Sequence, residues 1–106
     1  MARYLWKVSY TTDGAKGLLA EGGSSRRALL DKLISDKGGT LETFDFSLGE
    51  DDAYLIGELP SLSDVMALSL AVAASGGARV TTIPLLSPEE VDAAAKQDIG
   101  YRAPGA

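Results

Sequence analysis

The chain has 106 residues, 45% of them hydrophobic and 24% charged, which suits one domain with a small core. It contains no cysteine and no histidine, so disulfides, thiolate chemistry, the usual metal ligands and the usual general base near neutral pH are all excluded. A net charge of −5 disfavours nucleic acid and anionic membranes as partners, since both select basic surfaces.

No opening stretch is apolar enough for a signal peptide. The longest uncharged run, Val65 to Ala78, is shorter than the roughly 20 residues a membrane-spanning helix needs. The chain therefore reads as cytoplasmic. Residues 1–98 are expected to form one domain, followed by a tail over 99–106.

RYLWKVSY, residues 3–10, alternates as a strand with Tyr4, Trp6, Val8 and Tyr10 on one face and Leu5, Lys7 and Ser9 on the other. TTDG follows, with Thr12 or Asp13 as the expected helix cap and Leu18 and Leu19 in a first short helix. Gly22 and Gly23 interrupt it, and Ser24 or Ser25 is the expected cap of a second helix. Leu29, Leu30, Leu33 and Ile34 recur along it at helical spacing until Gly38 and Gly39.

TLETFDFSL, residues 40–48, alternates again. Phe44, Phe46 and Leu48 share a face, and Thr43, Asp45 and Ser47 share the other. The chain turns at Gly49–Asp51 and returns through residues 52–59, with Ala53, Leu55 and Gly57 opposite Asp52, Tyr54, Ile56 and Glu58. Ser61 or Ser63 then caps a helix that stops at Gly76 and Gly77. Its apolar stripe is expected to comprise Leu62, Val65, Met66, Ser69, Val72 and Ala73, with Leu68 and Ala71 outside it. ARVTTIPLL supplies a fourth strand. Ser87 and Pro88 open a last helix that reaches Lys96 and is one candidate to cover the outer side of its predecessor.

The order β-α-β-β-α-β with right-handed crossovers predicts a ferredoxin-like α+β sandwich with an added C-terminal helix, an antiparallel sheet ordered 4-1-3-2, and helices on one face. Trp6, Val8, Phe44, Phe46 and Leu55 suit the helix side. The open side would then carry Leu5, Lys7, Ser9, Thr43, Asp45, Tyr54, Ile56 and Thr82. That mixture is too apolar for a wetted face and too polar for a core, which points to a second copy of the chain covering it.

SYTTDG, GGTLETF, LGEDDAYLIGELP and GGARVTT follow one another in the order and spacing of the GYD domain family, and the chain resembles that family over residues 3 to 91. The motif glycine and aspartate correspond to Gly49 and Asp52, while Asp51 stands where the family has tyrosine. Thr11, Gly14, Gly39, Pro60, Arg79 and Thr82 also match. The resemblance implies a small dimeric α+β barrel built from ferredoxin-like halves; it implies no particular activity.

Glu50, Asp51 and Asp52 invite a reading as a metal site, but adjacent acids entering a strand alternate in direction and do not converge on one ion. No metal and no cofactor is expected. By strand parity Asp52 should face inward beside Tyr54, within reach of Arg79, with Glu50 and Asp51 in solvent. Lys7 with Asp45 or Tyr54 is either a structural pair or a buried amine with chemistry of its own. EGGSSRR offers an anion-binding helix start or an ordinary charged turn. The expected ligand-binding set is Lys7, Ser9, Asp45, Asp52, Tyr54, Arg79 and Thr82. Three functions compete for it. The first is a homo-oligomer, most simply a dimer, that binds a small molecule between facing sheets. The others are a cofactor-free oxygenase- or isomerase-like enzyme in the same cavity, and a purely structural interaction module.

Overall fold

The structure is a computed structural model that describes residues 1–106. Its elements are β1 (Ala2–Tyr10), α1 (Thr12–Glu21), α2 (Gly23–Asp36), β2 (Thr40–Phe46), β3 (Ala53–Leu59), α3 (Leu62–Ser75), β4 (Ala78–Leu85) and α4 (Pro88–Ala95). The four strands form one antiparallel sheet in the order β2-β3-β1-β4. This is the α+β arrangement expected from the element order. No helix is long and apolar enough to cross a membrane.

The core lies between the sheet and α2 and α3. Tyr4 and Trp6 of β1, Leu55 and Leu59 of β3, Leu30 and Ile34 of α2 and Val65 of α3 are buried together, with Val8, Leu68 and Val80 packed at the edge. Truncating Leu59, which is 1% exposed, would cost about 2–5 kcal/mol by the usual toll for a large core side chain.

β2 departs from simple alternation. Leu41 pairs with Gly57 and Thr43 with Ile56, so Glu42 is an extra residue and the ladder bulges there. The bulge lets Leu41 and Phe44 both enter the core. Gly57 is required opposite it. A Cβ there would sit 2.6 Å from the Thr40 carbonyl oxygen and 3.2 Å from the Trp6 ring.

The helix ends differ from expectation in two places. Thr11 caps α1, accepting from the Gly14 amide at 3.2 Å. Its own amide and hydroxyl are already tied to the carbonyls of Gly77 at 3.0 Å and Gly76 at 2.8 Å. Gly22 precedes α2 with no side-chain cap, because φ of 84° there starts the new helix immediately after the old one. Ser61 caps α3, Gly76 ends it in the left-handed conformation, and Ser87 with Glu90 forms a capping box on α4.

α3 presents a different stripe from the one its sequence suggests. Val65 is buried and Leu68, Ser69 and Val72 are half-buried, whereas Leu62, Met66, Leu70 and Ala73 are exposed. α4 buries none of its residues and packs substantially on no other element, so it does not cover α3. The chain is accordingly elongated. Its extents are 58 × 33 × 23 Å and its radius of gyration is 17.1 Å, against about 13 Å for a compact domain of this length.

Candidate functional site

The open face of the sheet is written in cross-strand rows. Thr81, Lys7, Tyr54 and Asp45 lie side by side across β4, β1, β3 and β2, and the next row holds Ile83, Leu5, Ile56 and Thr43. Arg79 pairs with Ser9 at the end nearest the β2–β3 hairpin. The face therefore has a polar end and an apolar middle. Leu5, Lys7, Ser9, Tyr54 and Ile56 are each half-buried although no helix covers them, because tall neighbours on a pleated sheet shield one another.

The hairpin decides the chemistry at the polar end. Strand β3 begins only at Ala53, and Asp51 and Asp52 lie in the bend before it, so strand alternation does not fix where their side chains go. Asp52 closes the β1–β3 ladder. Its amide donates to the Val8 carbonyl at 2.8 Å, its carbonyl accepts from the Ser47 amide at 2.8 Å, and its carboxylate Oδ2 accepts from the Tyr10 amide at 2.8 Å. The chain turns away before a backbone acceptor could reach Tyr10, and the side chain stands in for it.

Asp51 is the acid that reaches the open face. Its Oδ1 accepts from the Ser9 hydroxyl at 3.0 Å, and its Oδ2 lies 3.5 Å from Lys7 Nζ and 3.4 Å from the Tyr54 hydroxyl. The last two distances are long for direct bonds, so the serine contact is the well-formed hydrogen bond and Lys7 acts on Asp51 through its charge. Asp51 is 18% exposed and Lys7 35%; together they form a partly desolvated pair with hydroxyls on either side.

The structure thus brings Lys7, Ser9 and Tyr54 together, as expected, but around Asp51 instead of Asp52. The expected inward turn of Asp52 toward Tyr54 is wrong. Asp52 serves the backbone of β1, and no Arg79–Asp52 or Arg79–Asp51 ion pair forms. Arg79 is exposed beside Ser9. Asp45 sits opposite Tyr54 but stays exposed, with Lys7 turned to Asp51.

Thr82 is also misplaced. Opposite Trp6 in the ladder, it lies on the helix face, where its hydroxyl meets that of Ser69 at 3.3 Å. Its neighbour Thr81 holds the open-face position beside Lys7. The three hairpin acids diverge: Glu50 into solvent, Asp51 to the open face, Asp52 to the Tyr10 amide. Such divergence is incompatible with shared ligation of one cation.

Sequence reasoning left Asp51 in solvent, because residue 51 precedes the strand and its side-chain direction is not set by strand alternation.

A family model described as "GYD domain" matches residues 4–95. No curated protein and no solved structure matches the chain.

Proposed function

This chain belongs to the GYD domain family, and on that premise we propose that it is a homodimer whose open sheet faces meet and hold a small molecule at Lys7, Ser9, Asp51 and Tyr54. The observation that carries the proposal is the partly desolvated Lys7–Asp51 pair, flanked by two hydroxyls, on a face that no element of its own chain covers. A partly solvated ion pair contributes little to stability, so we account for this arrangement by what sits against it.

The apolar row of Leu5, Ile56 and Ile83 would supply the hydrophobic centre of the interface, and the polar end would become its ligand-holding margin. Lys7 has donors to spare beyond Asp51, and Arg79 adds a cation with no acid paired to it. The chemistry suits a small polar molecule with acceptor groups more than it suits a bond-breaking step.

Sedimentation of the full chain should give twice the 11.0 kDa chain mass, and Ile56→Lys, which places a charge at the centre of the apolar row, should give the single mass with the fold intact by circular dichroism. A wild-type monomer at micromolar concentration would end the proposal.

A further inference from the structure

Two opposite charges stand at opposite edges of the open sheet face. Asp45 lies on β2 and Arg79 on β4; both are exposed and neither joins an ion pair. They are three strand spacings apart, roughly 14 Å, and so do not meet within one chain. The cations between them are already engaged. Lys7 faces Asp51, and Arg3 is bound to Glu42 with Glu58 beside it across the ladder.

A sheet face can lie on its own copy in two aligned ways. With the two-fold axis across the strands, each strand meets its own copy reversed. Centred on the Leu5–Ile56 row, that arrangement sets Lys7 over the partner's Arg3. Centred on the Lys7–Tyr54 row, it sets Lys7 over the partner's Lys7 and Asp45 over the partner's Asp45. Like charges oppose one another in both cases. With the axis along the strands, over the seam between β1 and β3, β4 lies over the partner's β2. Leu5 then meets the partner's Ile56, Lys7 meets the partner's Tyr54, and Arg79 comes within one row of the partner's Asp45. Facing sheets lie about 10 Å apart and successive rows about 6.8 Å apart, a diagonal that an arginine and an aspartate span together.

Resting on the dimer reading above, we infer that the two copies pack with the two-fold axis along the strands, and that Arg79 binds Asp45 of the partner subunit at both edges. The site is then composite. An axis along the strands keeps position along the strand unchanged, so the two sets of Lys7, Ser9, Asp51 and Tyr54 adjoin at one end of the interface. Each copy lends the other a carboxylate at the margin of its cluster. Arg79 still has donors for a bound molecule, because a guanidinium carries five and one carboxylate takes at most two of them in a fork.

The test reverses the two charges one at a time in the full-length chain. Arg79→Asp and Asp45→Arg each set like charges against one another at both edges of a homodimer. Sedimentation should show self-association of each variant weakened about tenfold or more, with circular dichroism unchanged because both positions are exposed. Mixed in equal amounts, the two variants should form a heterodimer as tight as the parent dimer, since opposite charges then meet at both edges. Arg79→Gln should dimerise with less dependence on salt than the parent, having lost a screened ion pair. The inference is overturned if either reversal self-associates as the parent does, or if mixing the two restores nothing. Ile56→Lys separates that result from failure of the dimer reading. A dimeric parent that Ile56→Lys dissociates and the charge reversals leave intact keeps the sheet-face dimer and loses this pairing. A monomeric parent removes both.

Discussion

At the scale of single residues, the two neighbouring aspartates illustrate how one carboxylate builds and another is left available. Asp52 satisfies a half-buried amide of Tyr10. Asp52→Ala should cost about 1–2 kcal/mol, because that donor loses its partner in a place water reaches only in part. Asp51→Ala should cost less than about 1 kcal/mol in stability, since its pair with Lys7 is partly solvated. Its larger effect should fall on whatever occupies the open face. Glu50→Gln should stay within about 0.5 kcal/mol. Urea unfolding of the three variants checks the ranking; equal losses for Asp51→Ala and Asp52→Ala would show that the open-face cluster carries structural weight too.

Tyr10 supplies a pH signature at the same scale. Burial pushes its phenol above the ordinary value, and the nearby Arg26 guanidinium offsets this only in part. For an acid raised in the folded state, the native chain holds its proton more tightly than the unfolded chain does. The stability so contributed is fully present below the ordinary tyrosine value near 10 and falls as the pH rises through the higher folded value. Alkaline titration by phenolate absorbance should lose a late-ionising step on Tyr10→Phe, and the same substitution should flatten the loss of stability above about pH 10.

At the scale of elements, packing decides what patterning leaves open. α3 carries apolar residues nearly all round, so its sequence offers several possible stripes. The sheet chooses the one containing Val65, Leu68, Ser69 and Val72, with Ser69 held by Thr82. Gly14 fixes the other end of the layer: a Cβ there would run into the Gly77 carbonyl, so α1 lies directly against the α3–β4 turn. Gly14→Ala should be strongly destabilising. α4 behaves oppositely. It buries nothing, and an isolated helix of its length is marginal in water. A chain ending at Leu86 should therefore keep its thermal midpoint. A marked drop would mean that α4 is docked on a surface in solution.

At the scale of the whole molecule, two uncovered apolar surfaces compete to explain assembly: the middle of the open sheet, and the outer side of α3 with Leu62, Met66 and Leu70. Ion pairs and hydroxyls are interleaved with the apolar residues of the sheet face, which gives a pairing surface register and specificity. The α3 surface has no charge to orient a partner. Met66→Lys should therefore leave the sedimentation mass unchanged while Ile56→Lys reduces it, and the reverse pattern would place the interface on the helices.

Local and periodic features were legible in the sequence. Strand alternation placed Tyr4, Trp6 and Val8 against Leu55 and Ala53, glycines and capping serines marked the ends of α3 and α4, and the order of elements set the sheet as β2-β3-β1-β4. These depend on neighbours within a few residues, where side-chain direction follows from backbone period. The bulge at Glu42, the exchange of roles between Asp51 and Asp52, the single-residue shift that put Thr82 on the helix face and the orphaned N–H of Trp6 were decided only in three dimensions. Each depends on register against another strand or on the room left between layers. A shift of one residue inverts which face a side chain meets, and sequence periodicity carries no information about that shift where a strand has not yet begun or has already bulged.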